Sequence, residues 1–178
     1  MSKKFNTKTL TAAALLIALH IVFVRLISLG SGAVRISLGF FPTAVAGMIF
    51  GPLGGGAVAA IADILGTILF SKGEVYFFPL TISEFLYGFG FGMFLHNKSF
   101  SALKLSILTA VQFVIINLFI NSVWLYFYFL MIVGSPRGYW VIFSGRLAAA
   151  LINMPMQIIG INLICRYLKK PLQRLGRQ

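Results

Sequence analysis

Six apolar stretches, each long enough or nearly long enough to cross a bilayer, alternate with short polar punctuation along this 178-residue chain. A helix spans roughly 30 Å of hydrocarbon with about 20 apolar residues, and shorter ones serve when tilted or buried among neighbours. The first predicted span covers residues 9–29, after which Gly30-Ser31-Gly32-Ala33-Val34-Arg35 reads as a flexible loop. The apolar block over 36–70 is too long for one helix. Gly51-Pro52 cuts it, because proline lacks an amide donor and disfavours helical backbone in the residue before it. Two short spans, 36–50 and 52–70, are therefore expected. Ser71-Lys72-Gly73-Glu74 forms a hydrophilic turn, a fourth span covers 78–95, and His96-Asn97-Lys98-Ser99 ends it. A long fifth span over 101–133 stops at Gly134-Ser135-Pro136-Arg137-Gly138, and a sixth covers 139–168. The pattern predicts an all-α integral membrane protein, a single six-helix bundle over 1–178 with no internal repeat or interdomain linker.

Composition agrees: 59% hydrophobic and 10% charged residues, with a mean hydropathy of +0.95, exceed what a water-facing domain of this length can hide. The formal net charge of +12 raises the question of nucleic acid. Its distribution answers against it. Lys3, Lys4 and Lys8, then Lys98 and Lys104, then Arg166, Lys169, Lys170, Arg174 and Arg177 all flank apolar runs. These ten basic residues fall on one side of a six-span topology, against Arg35, Lys72 and Arg137 on the other, which predicts that both termini are cytoplasmic. The first apolar run has no small-residue cleavage site leading into a soluble domain, so it is expected to stay in the membrane. The lone cysteine, Cys165, allows no internal disulfide and reads as a packing residue.

Only three carboxylates occur, and two of them, Asp63 and Glu84, sit inside apolar runs. An ionisable group at membrane depth usually meets a partner or a wet cavity. At about 1.5 Å per helical residue, Glu84 lies roughly 8 Å from the outer end of its span, Arg146 about 12 Å, and Arg25 close to the end of the first span. Asn117, Asn121, Trp124 and Tyr128 recur at steps of four, three and four, which lines them along one helical face. Tyr139, Arg146, Asn153 and Gln157 do the same on span six. An outward-open polar pocket would gather these groups. Buried arginines suit carboxylates or phosphates; Trp124, Tyr128, Tyr87 and Phe91 offer faces for a ring; Glu84 suits the paired donors of an amino-substituted heterocycle. Alternatives stand beside each reading. Glu84 could simply neutralise Arg25 or Arg146, and Trp124 and Tyr128 could be interface-belt aromatics. Asn153 and Gln157 read as interhelical glue, His20 as a packing residue, and His96 as a solvated helix end. Neither histidine has a ligand-spaced partner, so no metal site or other cofactor is indicated. Ala14 and Ala18 form a small-xxx-small pair that would let another helix approach closely, inside the bundle or outside it.

Several stretches carry a family resemblance. Ala14-x-x-x-Ala18, Arg35-Ile36-Ser37-Leu38-Gly39-Phe40-Phe41-Pro42, Ala46-Gly47-Met48-Ile49-Phe50-Gly51-Pro52 and Asp63-Ile64-Leu65-Gly66 resemble the substrate-binding S components of energy-coupling factor (ECF) vitamin transporters. The 35–66 stretch is similar to the folate branch. Where that branch would have Gly-Thr-Leu-Ser-Ala in span four, this chain has Leu80-Thr81-Ile82-Ser83-Glu84. The resemblance implies a bacterial cell-membrane protein that binds folate or a related vitamin from outside, topples, and docks through its Ala14–Ala18 face on a transmembrane scaffold subunit carrying two cytoplasmic ATPase subunits. It further implies gate loops between spans one and two and around 71–78. This chain has no Gly-x-x-x-x-Gly-Lys-Ser/Thr loop, so ATP hydrolysis is expected only in partners. Under this reading Glu84 and Asn121 read the pterin, Trp124, Tyr128 and Tyr87 stack on it, and Arg25, Arg35, Arg137 or Arg146 neutralise the glutamate tail, with Tyr139 and Asp63 alongside. The near alternative is an S component for riboflavin or thiamine. A more distant one is a membrane enzyme using Asp63 and Glu84 as acid and base; a channel is disfavoured by the lack of a charged ring.

Overall fold

A computed structural model describes residues 7–31, 34–71, 75–97, 101–134 and 138–168, and the side chains of 29–35 and 168 lie outside the described set. Five helices in it are long and apolar enough to cross a membrane: α1 (Thr7–Leu26), α2 (Phe40–Leu69), α3 (Phe78–Leu95), α4 (Ala102–Met131) and α5 (Tyr139–Tyr167). Between α1 and α2, β1 (Leu29–Ser31) pairs antiparallel with β2 (Val34–Ile36), Leu29 opposite Ile36. The fold is thus helical with one small hairpin, which corrects the flexible-loop expectation. Val34 and Ile36 are β-branched residues that favour extended pairing, and the hairpin's exit is tied to α5 by Ser37 N–H donating to Asn153 Oδ1 at 3.3 Å. Helix α2 consequently begins at Phe40 rather than 36.

Helix α2 is helical on both sides of Gly51, whose φ of 78° and ψ of −170° are not. Positive φ costs glycine little, having no Cβ. Gly47 and Gly55 bracket this break, and a Cβ on Gly55 would lie 2.7 Å from Gly47 Cα. In a continuous helix eight residues advance about 12 Å. The two arms of α2 therefore fold back on each other. Helix α3 lies on this turn equally closely: a Cβ on Gly47 would sit 2.7 Å from Gly92 N, one on Gly55 would sit 2.8 Å from Gly88 O, and one on Gly92 would collide with Pro52. Helices in a membrane associate through van der Waals packing rather than water exclusion, and small residues let backbones meet.

The break leaves the Met48 carbonyl without its usual helical partner, because that partner would be the nitrogen of Pro52. His96 supplies the missing donor: its Nδ1 lies 3.0 Å from Met48 O, and Asn97 Nδ2 lies 3.0 Å from its Nε2. His96 is half-buried, which corrects its expected role as a solvated helix end. Beneath the polar region described below, Phe40, Met48, Phe91, Leu95, Leu105, Ile116, Ile161 and Ile164 join α2, α3, α4 and α5 in one core. A second cluster packs Leu16 of α1 on Ala46, Ile49 and Val58 of α2.

The glycine contacts predict that Gly92→Ala destabilises the protein by about 1–3 kcal/mol, the scale of forced overpacking, read as a lower melting temperature in mild detergent. Gly138→Ala is the control, since among the described residues a Cβ there meets nothing closer than 4.0 Å and its melting temperature should not move.

Candidate functional site

The helices surround a cavity of about 440 Å³, within the range of small-molecule sites. Its walls divide by chemistry. On one side α1 carries Arg25, 4% exposed, whose Nη2 donates to Thr67 Oγ1 and lies 3.7 Å from Asp63 Oδ1. Asp63 Oδ2 accepts from Thr81 Oγ1 at 2.7 Å, and the Thr67 hydroxyl donates to the Asp63 carbonyl. His20, also on α1, has Nδ1 3.0 Å from Thr43 Oγ1. The Thr43 proton is committed to Gly39 O at 3.0 Å, so His20 donates through Nδ1. Arg25, Asp63, Thr67, Thr43 and Gly39 line the cavity, and so does His20, whose expected role was packing alone, while Thr81 stands behind Asp63.

Opposite them stands a wall of amides with a second cation. Arg146 on α5 donates from Nε at 2.9 Å and from Nη2 at 2.5 Å to the backbone carbonyl of Asn117. That carbonyl is open because α4 is π-helical over Phe113–Ile120: Asn121 N–H reaches back to Ile116 O instead of Asn117 O. Among the described residues Arg146 has no carboxylate within ion-pair distance, although Glu84 is near enough to act on it electrostatically. Glu84 of α3 lies on the same cavity, as does Tyr87, whose hydroxyl sits beside Asn117 and Gln157. Among the described residues, Asn121 Oδ1 and Gln157 Nε2 are buried without a hydrogen-bond partner, in residues 8% and 2% exposed. A buried polar atom left unpaired costs about 1–3 kcal/mol. Both residues belong to the cavity wall.

A third wall is the segment Val75–Phe77, which precedes α3 and lines the cavity with all three residues. Val75 N–H donates to the Tyr128 hydroxyl at 3.1 Å, the Phe77 ring meets the Tyr128 ring edge-on with centroids 5.8 Å apart, and the Tyr76 hydroxyl lies 3.1 Å from Thr81 Oγ1.

Seven of the residues singled out from the sequence reach the cavity: Arg25, Asp63, Glu84, Tyr87, Asn121, Tyr128 and Arg146. Two do not line it. Regular helical spacing placed Trp124 on the Asn117–Asn121–Tyr128 face, but in the α-helical stretch Asn121–Met131 the residues that line the cavity are Asn121, Leu125, Tyr128 and Phe129, so the inward face is centred toward Leu125 and Trp124 lies to one side of it. Tyr139 stacks on Phe143 with ring centroids 5.9 Å apart and meets Tyr126 edge-on, in an aromatic cluster off the cavity wall. The Arg35 side chain and all of Arg137 lie outside the described residues. Asn153 and Gln157, read as interhelical glue, both line the cavity. Their spacing, seven residues from Arg146 to Asn153 and four more to Gln157, is the signal that already put them on the Arg146 face. Ala14 and Ala18 are exposed, whereas Leu16 of the same helix is buried.

Comparison with known proteins gives a consistent picture. The sequence model of the family described as ECF-type riboflavin transporter, S component, matches residues 4–170. A folate transporter, FolT, of Clostridium novyi (strain NT) is 36% identical over 148 residues, 83% of this chain and 82% of that protein. The folate transporter FolT of Leuconostoc mesenteroides is 30% identical over 125 residues, 68% of this chain and 65% of that protein. Among solved structures, the crystal structure of FolT bound with folic acid superposes with a TM-score of 0.80 at 30% identity, covering 96% of this chain and 98% of that one. A match over nearly the full length, on a multi-pass helical fold, places this chain in the family of S components of ECF-type transporters, which are transport proteins and not enzymes.

Proposed function

We propose that this chain is the folate-binding subunit of an ECF-type importer, taking folate from outside the cell into the cavity and delivering it by docking on a scaffold subunit that works with two ATPase subunits. The observation that carries the choice of ligand is Arg146. A guanidinium set in the wall of a membrane cavity without a carboxylate at ion-pair distance among the described residues calls for an anion, and a guanidinium binds carboxylates well. Folate has carboxylates on its glutamate tail. Glu84 then reads the amino-pyrimidinone edge of the pterin, with Asn121 and Gln157 supplying an acceptor and a donor, and Tyr87 and Tyr128 supplying ring faces. Arg25 contributes positive charge but already engages Asp63, so the tail is assigned first to Arg146. The family description favours a second reading, riboflavin. Riboflavin carries no carboxylate and would leave the Arg146 charge without a partner.

In the membrane, the two arms of α2 count as separate short spans, so the bundle has six, and the basic flanks place both termini in the cytoplasm of a bacterial cell. The exposed Ala14–Ala18 face of α1 is the proposed docking surface. Its neighbours Leu10, Leu15 and Leu19 are also exposed, at 62%, 68% and 40%, which suits a helix that a second apolar helix covers.

Titration of the purified protein with folic acid and with riboflavin tests the ligand. Saturable binding of folic acid in preference to riboflavin is expected, and the reverse preference would sink the proposal. Arg146→Gln should weaken folic acid by about tenfold or more, on the scale of a lost charge-assisted hydrogen bond, yet change binding of the carboxylate-free 6-hydroxymethylpterin far less. Glu84→Ala should weaken both pterins by about tenfold; unchanged affinity for both would leave Glu84 a structural charge.

A further inference from the structure

The structure joins the first cation of the cavity to the Val75–Phe77 strap through one short chain of side chains. Asp63 is used on both sides: Oδ1 faces Arg25 at 3.7 Å, and Oδ2 accepts from Thr81 Oγ1 at 2.7 Å. The Thr81 hydroxyl has one proton, given to Asp63, so the 3.1 Å contact with Tyr76 is made by the Tyr76 hydroxyl donating to Thr81. Thr81 is 4% exposed and Arg25 4%, whereas Tyr76 is 38% exposed. The chain thus runs from a buried charge to the strap. The strap's other two holds, Val75 on the Tyr128 hydroxyl and Phe77 on its ring, both belong to α4. The Tyr76 contact ties it to the acid.

We propose that Asp63 is a two-sided anchor through which Arg25 controls how firmly the Val75–Phe77 strap is held over the ligand. An anionic ligand that draws on the Arg25 donors takes neutralising charge away from Asp63. The carboxylate then holds Thr81 more strongly, Thr81 orients to accept from Tyr76, and the strap tightens when the cavity is filled. Hydrogen bonds to a charged acceptor are about twice as strong as neutral ones and polarise the bonds next to them. Asp63, Thr81 and Tyr76 act here as positioning residues. The identity of the ligand rests on the folate reading; the linkage of the strap to Asp63 does not.

Hydrogen exchange of the amides at 75–77, followed by mass spectrometry on the purified full chain, is the test. In the absence of any ligand, Thr81→Val and Tyr76→Phe should each speed exchange of this segment, and Thr81→Ser should restore the wild-type rate. Adding folic acid should slow exchange there in the wild type and not in Thr81→Val, and bound folic acid should leave Thr81→Val about tenfold faster with association changed less than twofold. Exchange at 75–77 that is the same in wild type, Thr81→Val and Tyr76→Phe overturns the anchor. So does an unchanged release rate, or a uniform loss of stability that Thr81→Ser fails to rescue. A wild-type protein that binds no folic acid would refute the functional reading, while the ligand-free comparison would still decide the anchor.

Discussion

The backbone contact among Gly47, Gly55, Gly88 and Gly92 is the constraint on which the rest depends. Side chains of any size at these positions would hold the two arms of α2 and helix α3 apart. Because they are absent, a 30-residue apolar stretch folds back on itself rather than running straight, and the chain reverses beside α3. Two groups then complete the turn. Gly51 adopts the positive φ, and His96 donates to the Met48 carbonyl that Pro52 cannot serve. In a bilayer an unpaired backbone carbonyl costs several kcal/mol, so this histidine is as much part of the turn as the proline that makes it necessary. The reversal places Thr43 and Asp63, from opposite arms, on the wall of one cavity.

The cavity's polar groups follow a common logic of charge placement. Burying an ion is costly unless it is paired or hydrogen-bonded. Arg25 meets that requirement within the protein, through Asp63 and Thr67. Arg146 meets it differently, through a backbone carbonyl that a π-helical stretch has released from its own helix. The carbonyl satisfies hydrogen-bonding capacity without cancelling charge. The two cations therefore differ in kind: Arg25 is held by an acid and a hydroxyl, whereas Arg146 is held by a carbonyl that carries no net charge.

Much of this was legible from polarity alone. Asp63, Glu84, Arg25 and Arg146 stand out in apolar runs, and all four reach the cavity, because a membrane leaves few other places for charge. The Gly51-Pro52 break was legible for the same local reason, as both residues act on their own backbone. Partnerships were not. The sequence offers Glu84 as the natural mate of Arg25, whereas the fold gives that arginine to Asp63, a residue on α2 that comes near only after the chain has reversed. Trp124 was misplaced because spacing shows which residues share a broad face but not where on that face the cavity opens, and it opens toward Leu125. His20 and Gln157 were read as packing residues since nothing local distinguishes a buried polar group inside a core from one at the edge of a cavity. The small β1–β2 hairpin hid among glycines and a serine that read equally well as loop.

The central claim is that a carboxylate-bearing pterin occupies this cavity. Native mass spectrometry of the protein, expressed in a folate-replete bacterium and released from mild detergent, addresses it without choosing the ligand in advance. The account predicts a one-to-one adduct with the mass of a folate, lost from Arg146→Gln and retained by Gly138→Ala. An adduct with the mass of riboflavin, or one retained undiminished by Arg146→Gln, would contradict it.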